Sequence, residues 1–204
     1  MKEVYFTQRL IAYLVDFIII GLVSTLLVSG VSMLLPNDDK YEQASESFIT
    51  EYEKVLKSND VKEMTNFFNN QKDNLYIIEK SSILIYAFDI ILYAAYYGAF
   101  QFYNGGQTLG KKLTKIKVVG NKKKGEYSYK SSLLRTAFNY GIFSKLLLIL
   151  ILLICNSSNY MIPLYTVEGI AMIFNLVLVI MIAFRKDGRS IVDMICHTKV
   201  VSSK

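Results

Sequence analysis

Phe17-Ile-Ile-Ile-Gly-Leu-Val-Ser-Thr-Leu-Leu-Val-Ser-Gly-Val-Ser-Met-Leu-Leu-Pro-Asn37 runs without one charged side chain. Such a run meets the ~20 residues that a helix rising 1.5 Å per residue needs to cross ~30 Å of hydrocarbon. Residues 90–110 form a second uncharged run. Outward from these two, charge is segregated instead of being spread as a soluble surface requires. Of 40 charged side chains, 35 fall in residues 1–9, 36–80, 104–130 and 185–204, and only Asp16, Asp89, Arg135, Lys145 and Glu168 lie elsewhere. The 204 residues are 52% apolar and 20% charged, against roughly 25% charged in soluble proteins. The chain reads as a single-domain, all-α polytopic membrane protein. Cys155 and Cys196 lie far apart and there is one histidine, so neither a disulfide framework nor a metal cluster is expected. No nucleophile with a base and no cofactor loop stands out, which disfavours an enzyme and implies no cofactor.

Hydropathy places about four spans, at residues 10–35, 81–103, 133–155 and 161–184. An even number puts both termini on one side. The connection at 36–80 has ten acidic and six basic residues, net −4, whereas 104–130 has eight lysines against Glu126 alone, net +7. Basic connections stay inside, so 104–130 and both termini are expected in the cytoplasm, with 36–80 outside the cytoplasmic membrane. The tails agree, with Lys2 and Arg9 at one end and Arg185, Lys186, Arg189, Lys199 and Lys204 at the other. This bias explains the net charge of +6 without a nucleic-acid partner and points instead to anionic lipid head groups. Lys2 precedes an apolar stretch as in a signal peptide. That stretch contains Asp16 and lacks an Ala-x-Ala end, so it is expected to stay as an anchor.

Within 36–80, Tyr41, Ala44, Phe48, Tyr52, Val55 and Leu56 recur at helical spacing. Val61, Met64, Phe67 and Phe68 follow Asp60, whose partner Glu63 fits a capping box. Two short amphipathic helices are expected, capping the spans, lying on the membrane or meeting a partner.

Charges inside the bilayer cost ~2.5–3.5 kcal/mol each even on insertion scales, so each should face protein or water and have a partner. Arg9 and Asp16 are two helical turns apart on one face, with Asp16 ~10 Å deeper and out of direct reach. Asp89 and Lys145 have nearly matching depths, which predicts an ion pair, with Glu168 as a competing partner for Lys145. Asn139 and Asn175 are expected to hydrogen-bond between helices.

Gly105-Gly-Gln-Thr-Leu-Gly-Lys-Lys112 almost matches a phosphate-binding loop, but Lys112 replaces the hydroxyl residue that would hold magnesium. It also follows an aromatic-rich span end, Tyr96, Tyr97, Phe100, Phe102 and Tyr103, which reads as an interfacial belt. The glycines are therefore read as a sharp turn off the bilayer, with Lys111, Lys112 and Lys115 meeting lipid head groups. Residues 115–119 and 126–129 alternate as strands around a Lys- and Gly-rich turn, so a hairpin is expected. His197-Thr-Lys-Val-Val201 echoes Lys115-Ile-Lys-Val-Val119, and these two segments are also candidates for pairing. His197 is read as a surface residue of that strand.

Three ordered stretches together resemble the RDD family of small bacterial membrane proteins, named for one arginine and two aspartates. Arg9-Leu-Ile-Ala-Tyr-Leu-Val-Asp16 resembles its opening signature, Gly106-Gln-Thr-Leu-Gly-Lys-Lys-Leu-Thr-Lys-Ile-Lys-Val-Val119 its central motif, and Leu134-Arg135 a following Leu-Arg step. Arg189-Ser-Ile-Val-Asp193 through Thr198-Lys-Val-Val201 is similar to its closing motif. Asp193 matches the second aspartate best, with Asp89 as the alternative. His197 departs from the small residue expected before Thr198, and the acidic connection is long for the family. The resemblance implies the architecture and, since some members are linked to cation/proton exchange, a transport role. Candidate functional residues are Arg9, Asp16, Asp89, Lys145 and Asp193. The reading is proton or small-cation transport through buried carboxylates; the alternative is a non-transport assembly or accessory subunit. With four spans and no apparent inverted repeat, transport favours a homo-oligomer or a membrane partner.

Overall fold

The computed structural model describes residues 4–32, 39–58, 60–121 and 127–203. A long apolar helix, α1 (Phe6–Ser32), is followed by three helices, α2 (Asp39–Ser58), α3 (Val61–Asn70) and α4 (Lys72–Ser81). The chain then runs through α5 (Ile83–Tyr93), a π-helical turn at Ala94–Phe100 and the short α6 (Gln101–Tyr103). After α7 (Leu109–Leu113) and strand β1 (Ile116–Gly120) come α8 (Tyr129–Asn139), α9 (Ile142–Ile154) and α10 (Met161–Phe184). It closes with α11 (Ile191–Ile195) and β2 (Thr198–Ser202).

Three continuous stretches, Phe6–Gly30, Ile83–Tyr103 and Met161–Phe184, are long and apolar enough to cross a membrane. The span expected at 133–155 is instead a bent pair, α8 and α9, meeting at 61°. The bend has a local cause: Gly141 adopts φ 69°, a left-handed conformation that breaks the helix. It also has a packing cause, because α8 carries the buried polar residues Ser132, Arg135 and Thr136. These dock against protein and keep α8 from lying along α9 in lipid.

The acidic insertion gathers at one end of the bundle. Asp60 caps α3, accepting from the Lys62 amide at 2.8 Å. Phe48 and Phe67 pack with centroids 5.0 Å apart, and Ala44 and Phe67 are buried. Among the described residues the insertion holds three helices where two were expected. The third, α4, leads into α5 across Ser82 and covers the ends of the spans: Tyr76 donates to the Cys155 carbonyl at 2.8 Å, and Tyr160 to the Lys72 carbonyl at 3.4 Å. It is thus α4 that covers the span ends, while the two expected amphipathic helices, α2 and α3, pack on α4 and on each other. The expected span end at Leu35 and Pro36 lies outside the described residues.

At the opposite, basic end, β1 and β2 pair antiparallel, with Ile116 opposite Ser202 and Gly120 opposite Thr198. The echo between the two segments is therefore a real pairing, and the expected hairpin with 126–129 does not form. Ser128 instead caps α8, accepting from the Ser131 amide at 3.2 Å, so the chain turns helical at Tyr129. The turn at 122–125 and Glu126 lie outside the described residues. Each strand is entered in the same way, through a short helix and one left-handed residue, Lys115 (φ 58°) and His197 (φ 52°). Ile116, Val118 and Val200 of this ribbon close over Ala12 of α1.

Candidate functional site

Asp16 is 1% exposed, and its carboxylate is closed in by neutral donors. Tyr96 donates to Oδ1 at 2.7 Å, Thr108 to Oδ2 at 2.6 Å, and the Gly110 amide to Oδ1 at 2.8 Å. Thr108 is the N-cap of α7 and accepts from the Lys111 amide at 3.3 Å. Tyr96 in turn accepts from the Leu109 amide at 3.1 Å. One carboxylate of α1 thus ties down a segment more than ninety residues later. Gly110 makes the approach possible: a Cβ there would clash with the Ala12 carbonyl and stand 2.9 Å from Asp16 Oδ1. Tyr96 and Tyr97, read as an interfacial belt, face inward instead, and Tyr97 is 3% exposed. The π-helical turn, which resets the face that α5 and α6 present, is where both sit.

Arg9 does not balance Asp16. It lies 3.7 Å from Asp193, which also meets Arg135 in a short contact. Asp193 is fully buried and caps α11 through Ser190: the Ser190 amide and hydroxyl donate to Oδ2 at 3.1 and 3.3 Å, and the Asp193 amide donates back to Ser190 Oγ at 3.1 Å. Arg135 also donates to Thr198 Oγ1 at 2.9 Å. This clamp joins α1, α8, α11 and β2. Burial pushes the Asp193 carboxyl up, but Arg135, the Ser190 amide and Arg9 outweigh it and hold it below the usual carboxylate range.

Between these centres lies Lys111, expected at lipid head groups but buried. Its ammonium donates to Gln101 Oε1; Gln101 donates to Tyr127 at 2.7 Å, Tyr127 to Ser132 at 2.8 Å, and Ser132 to the Gly98 carbonyl at 2.8 Å. Burial, then Arg135, lower the Lys111 pKa to about 7, against an opposing pull from Asp16 and Asp193. Lys112 and Lys115 are exposed.

Deeper in the bundle Lys145 donates to Asp89 Oδ2 at 2.6 Å, the pair that matching depths predict, and Ser24 donates to Oδ1 at 3.0 Å. The Lys145 ammonium also stands 5.5 Å from the ring centres of Tyr86 and Tyr93. Glu168 and Asn175 are exposed on α10, and among the described residues neither bonds Lys145 or another helix; Asn139 sits half-buried at the end of α8. Because both charges are partly buried (21% and 16% side-chain exposure), Asp89→Asn and Lys145→Met should each lower stability in detergent, by up to about 3 kcal/mol. The double variant should recover most of that loss. Losses that simply add would mean that the two charges do not interact.

Arg135, Thr108, Tyr96, Gln101 and Lys111 were not singled out as site residues by sequence reasoning. Arg135 had a usable signal, a charge stranded in an apolar stretch, whereas hydroxyl and amide side chains carry none until their partners are known. The RDD family model matches residues 4–197. The chain belongs to the RDD family. Every residue of these polar clusters except Thr198 falls within the matched stretch. The arginine and two of the aspartates of this RDD chain occupy separate but adjoining sites: Arg9 joins Asp193, and Asp16 holds α7. No curated protein and no solved structure matches the chain.

Proposed function

We propose that this RDD protein moves protons or small cations across the cytoplasmic membrane along a column of ionisable and hydroxyl side chains. The observation that carries the reading is the row of ionisable and hydroxyl side chains from Glu79 to Asp16, whose middle members, Tyr93, Tyr97 and Tyr140, meet through ring contacts and not through hydrogen bonds. At the acidic end Tyr86 donates to Glu79 at 2.8 Å. Lys145 faces Tyr86 and Tyr93 beside Asp89. Tyr93 meets Tyr97 at 6.0 Å and Tyr140 at 6.2 Å, Tyr97 stacks on Tyr140, and Tyr96 meets Tyr97 at 4.9 Å and bonds Asp16. Beyond Asp16, the Lys111 ammonium, pushed down to about 7 by burial, changes charge near neutral pH. Access to Asp16 requires α7 to leave α1, releasing the Thr108 and Gly110 bonds. Ion flux from purified protein in liposomes is the deciding measurement.

The alternative, a non-transport assembly or accessory subunit, is favoured by the closure of the Asp16 cage, since a fully satisfied carboxylate also serves as a staple. A wild type that carries no flux of Na⁺, K⁺ or H⁺ would move the reading there.

The basic end is proposed to face the cytoplasm, with exposed Lys112, Arg185 and Lys186 against anionic head groups. A cysteine replacing exposed Glu53 should react with an impermeant thiol reagent in intact cells, and one replacing exposed Lys130 should not. Reaction only at 130 would invert the orientation.

A further inference from the structure

We infer that two copies of this chain associate along α10, with their Asn175 amides hydrogen-bonded to each other near the middle of the bilayer. Helix α10 touches its own bundle by one edge, through buried Leu164 and Leu178 and half-buried Val167, Ala171 and Phe174. On the flank beside that edge Tyr165, Glu168, Met172, Asn175 and Val179 are all exposed, and they alternate three and four residues apart. That is the spacing by which two parallel helices pack with a left-handed crossing. Lipid covers apolar side chains at no cost, so Met172 and Val179 by themselves require nothing. Asn175 is different. Fourteen residues after the start of a 24-residue helix, it lies about 21 Å along an axis of about 36 Å. An amide there brings two N–H donors and a carbonyl into hydrocarbon, where no water satisfies them. Among the described residues neither Asn175 nor Glu168 has a hydrogen-bond or ion-pair partner.

The occupant that answers this chemistry is a second copy. A carboxamide is its own complement, donor to acceptor in both directions, so two identical side chains at the same depth satisfy each other across a two-fold axis along the membrane normal. Parallel copies of one inserted helix meet that condition without further adjustment. This association rests on the α10 surface alone and holds for either functional reading.

Single cysteines in the full chain test it in native membranes under mild oxidation, with the parent chain, which keeps Cys155 and Cys196, as the baseline. Met172→Cys and Val179→Cys should give a disulfide-linked species of twice the 23.3 kDa chain mass. Ile173→Cys and Ile180→Cys, exposed at the same depths on another flank, should not. In mild detergent Asn175→Leu should shift the purified protein towards monomer, and Asn175→Gln, whose amide is also self-complementary, should restore the dimer. Equal cross-linking at 173 and 180, adducts of another mass, a monomeric wild type, or a dimer indifferent to Asn175→Leu would each overturn the proposal.

Discussion

Asp193→Asn should destabilise the protein by about 3–5 kcal/mol, the usual cost of leaving a buried charge uncompensated. Its neighbours make this the most damaging single change at the basic end. With the carboxylate gone, the Arg9 and Arg135 guanidiniums face each other across one buried space. Removing Arg135 is milder, because Asp193 keeps Arg9 and the Ser190 amide and hydroxyl. Asparagine keeps the volume and an acceptor for the cap, so the loss reports charge and not a cavity. The pH dependence follows from the lowered carboxyl of Asp193. A folded pKa below the unfolded one gives stability that is complete above the ordinary carboxylate range and is lost as pH falls through the folded value. Wild-type stability in detergent should therefore fall in acid, while Asp193→Asn loses that part of the dependence. Arg135→Leu proving the more harmful of the two would contradict the clamp as described.

Asp16→Asn should reduce cation-driven proton flux in liposomes to that of protein-free vesicles while leaving the chain folded. An amide keeps the shape of the side chain, its oxygen still accepts from Tyr96 and Gly110, and the Thr108 hydroxyl can turn to accept from its nitrogen. What disappears is the site that takes up a proton or cation. Tyr96→Phe, which removes one donor to Asp16 and the acceptor for the Leu109 amide, should lower flux without abolishing it. Arg9→Gln should act mainly on stability, because Arg9 belongs to the Asp193 clamp and not to the Asp16 cage. Flux that survives Asp16→Asn would falsify the role given to this carboxylate.

The spans and their polar ends were legible in the amino-acid order because their causes are local: hydrocarbon thickness sets the length of an uncharged run, and each charge declares its cost wherever it falls. The Asp89–Lys145 pair was legible for the same reason, since two stranded charges at equal depth have few other partners. The echo of Lys115–Val119 in His197–Val201 likewise exposed a strand pairing between segments far apart in the chain. Tertiary packing alone decided the rest. Arg9 and Asp16 share a helical face, but that face is divided between two neighbours, α11 reaching Arg9 and α7 reaching Asp16. No periodicity within α1 encodes which element arrives where. The donors around Asp16 are a threonine, a tyrosine and a glycine amide, groups with no hydropathy or charge signal, brought together because Gly110 lets one backbone rest on another. The break between α8 and α9 follows the same logic. An apolar count reads through Gly141, but burial of Ser132, Arg135 and Thr136 against protein draws α8 out of line.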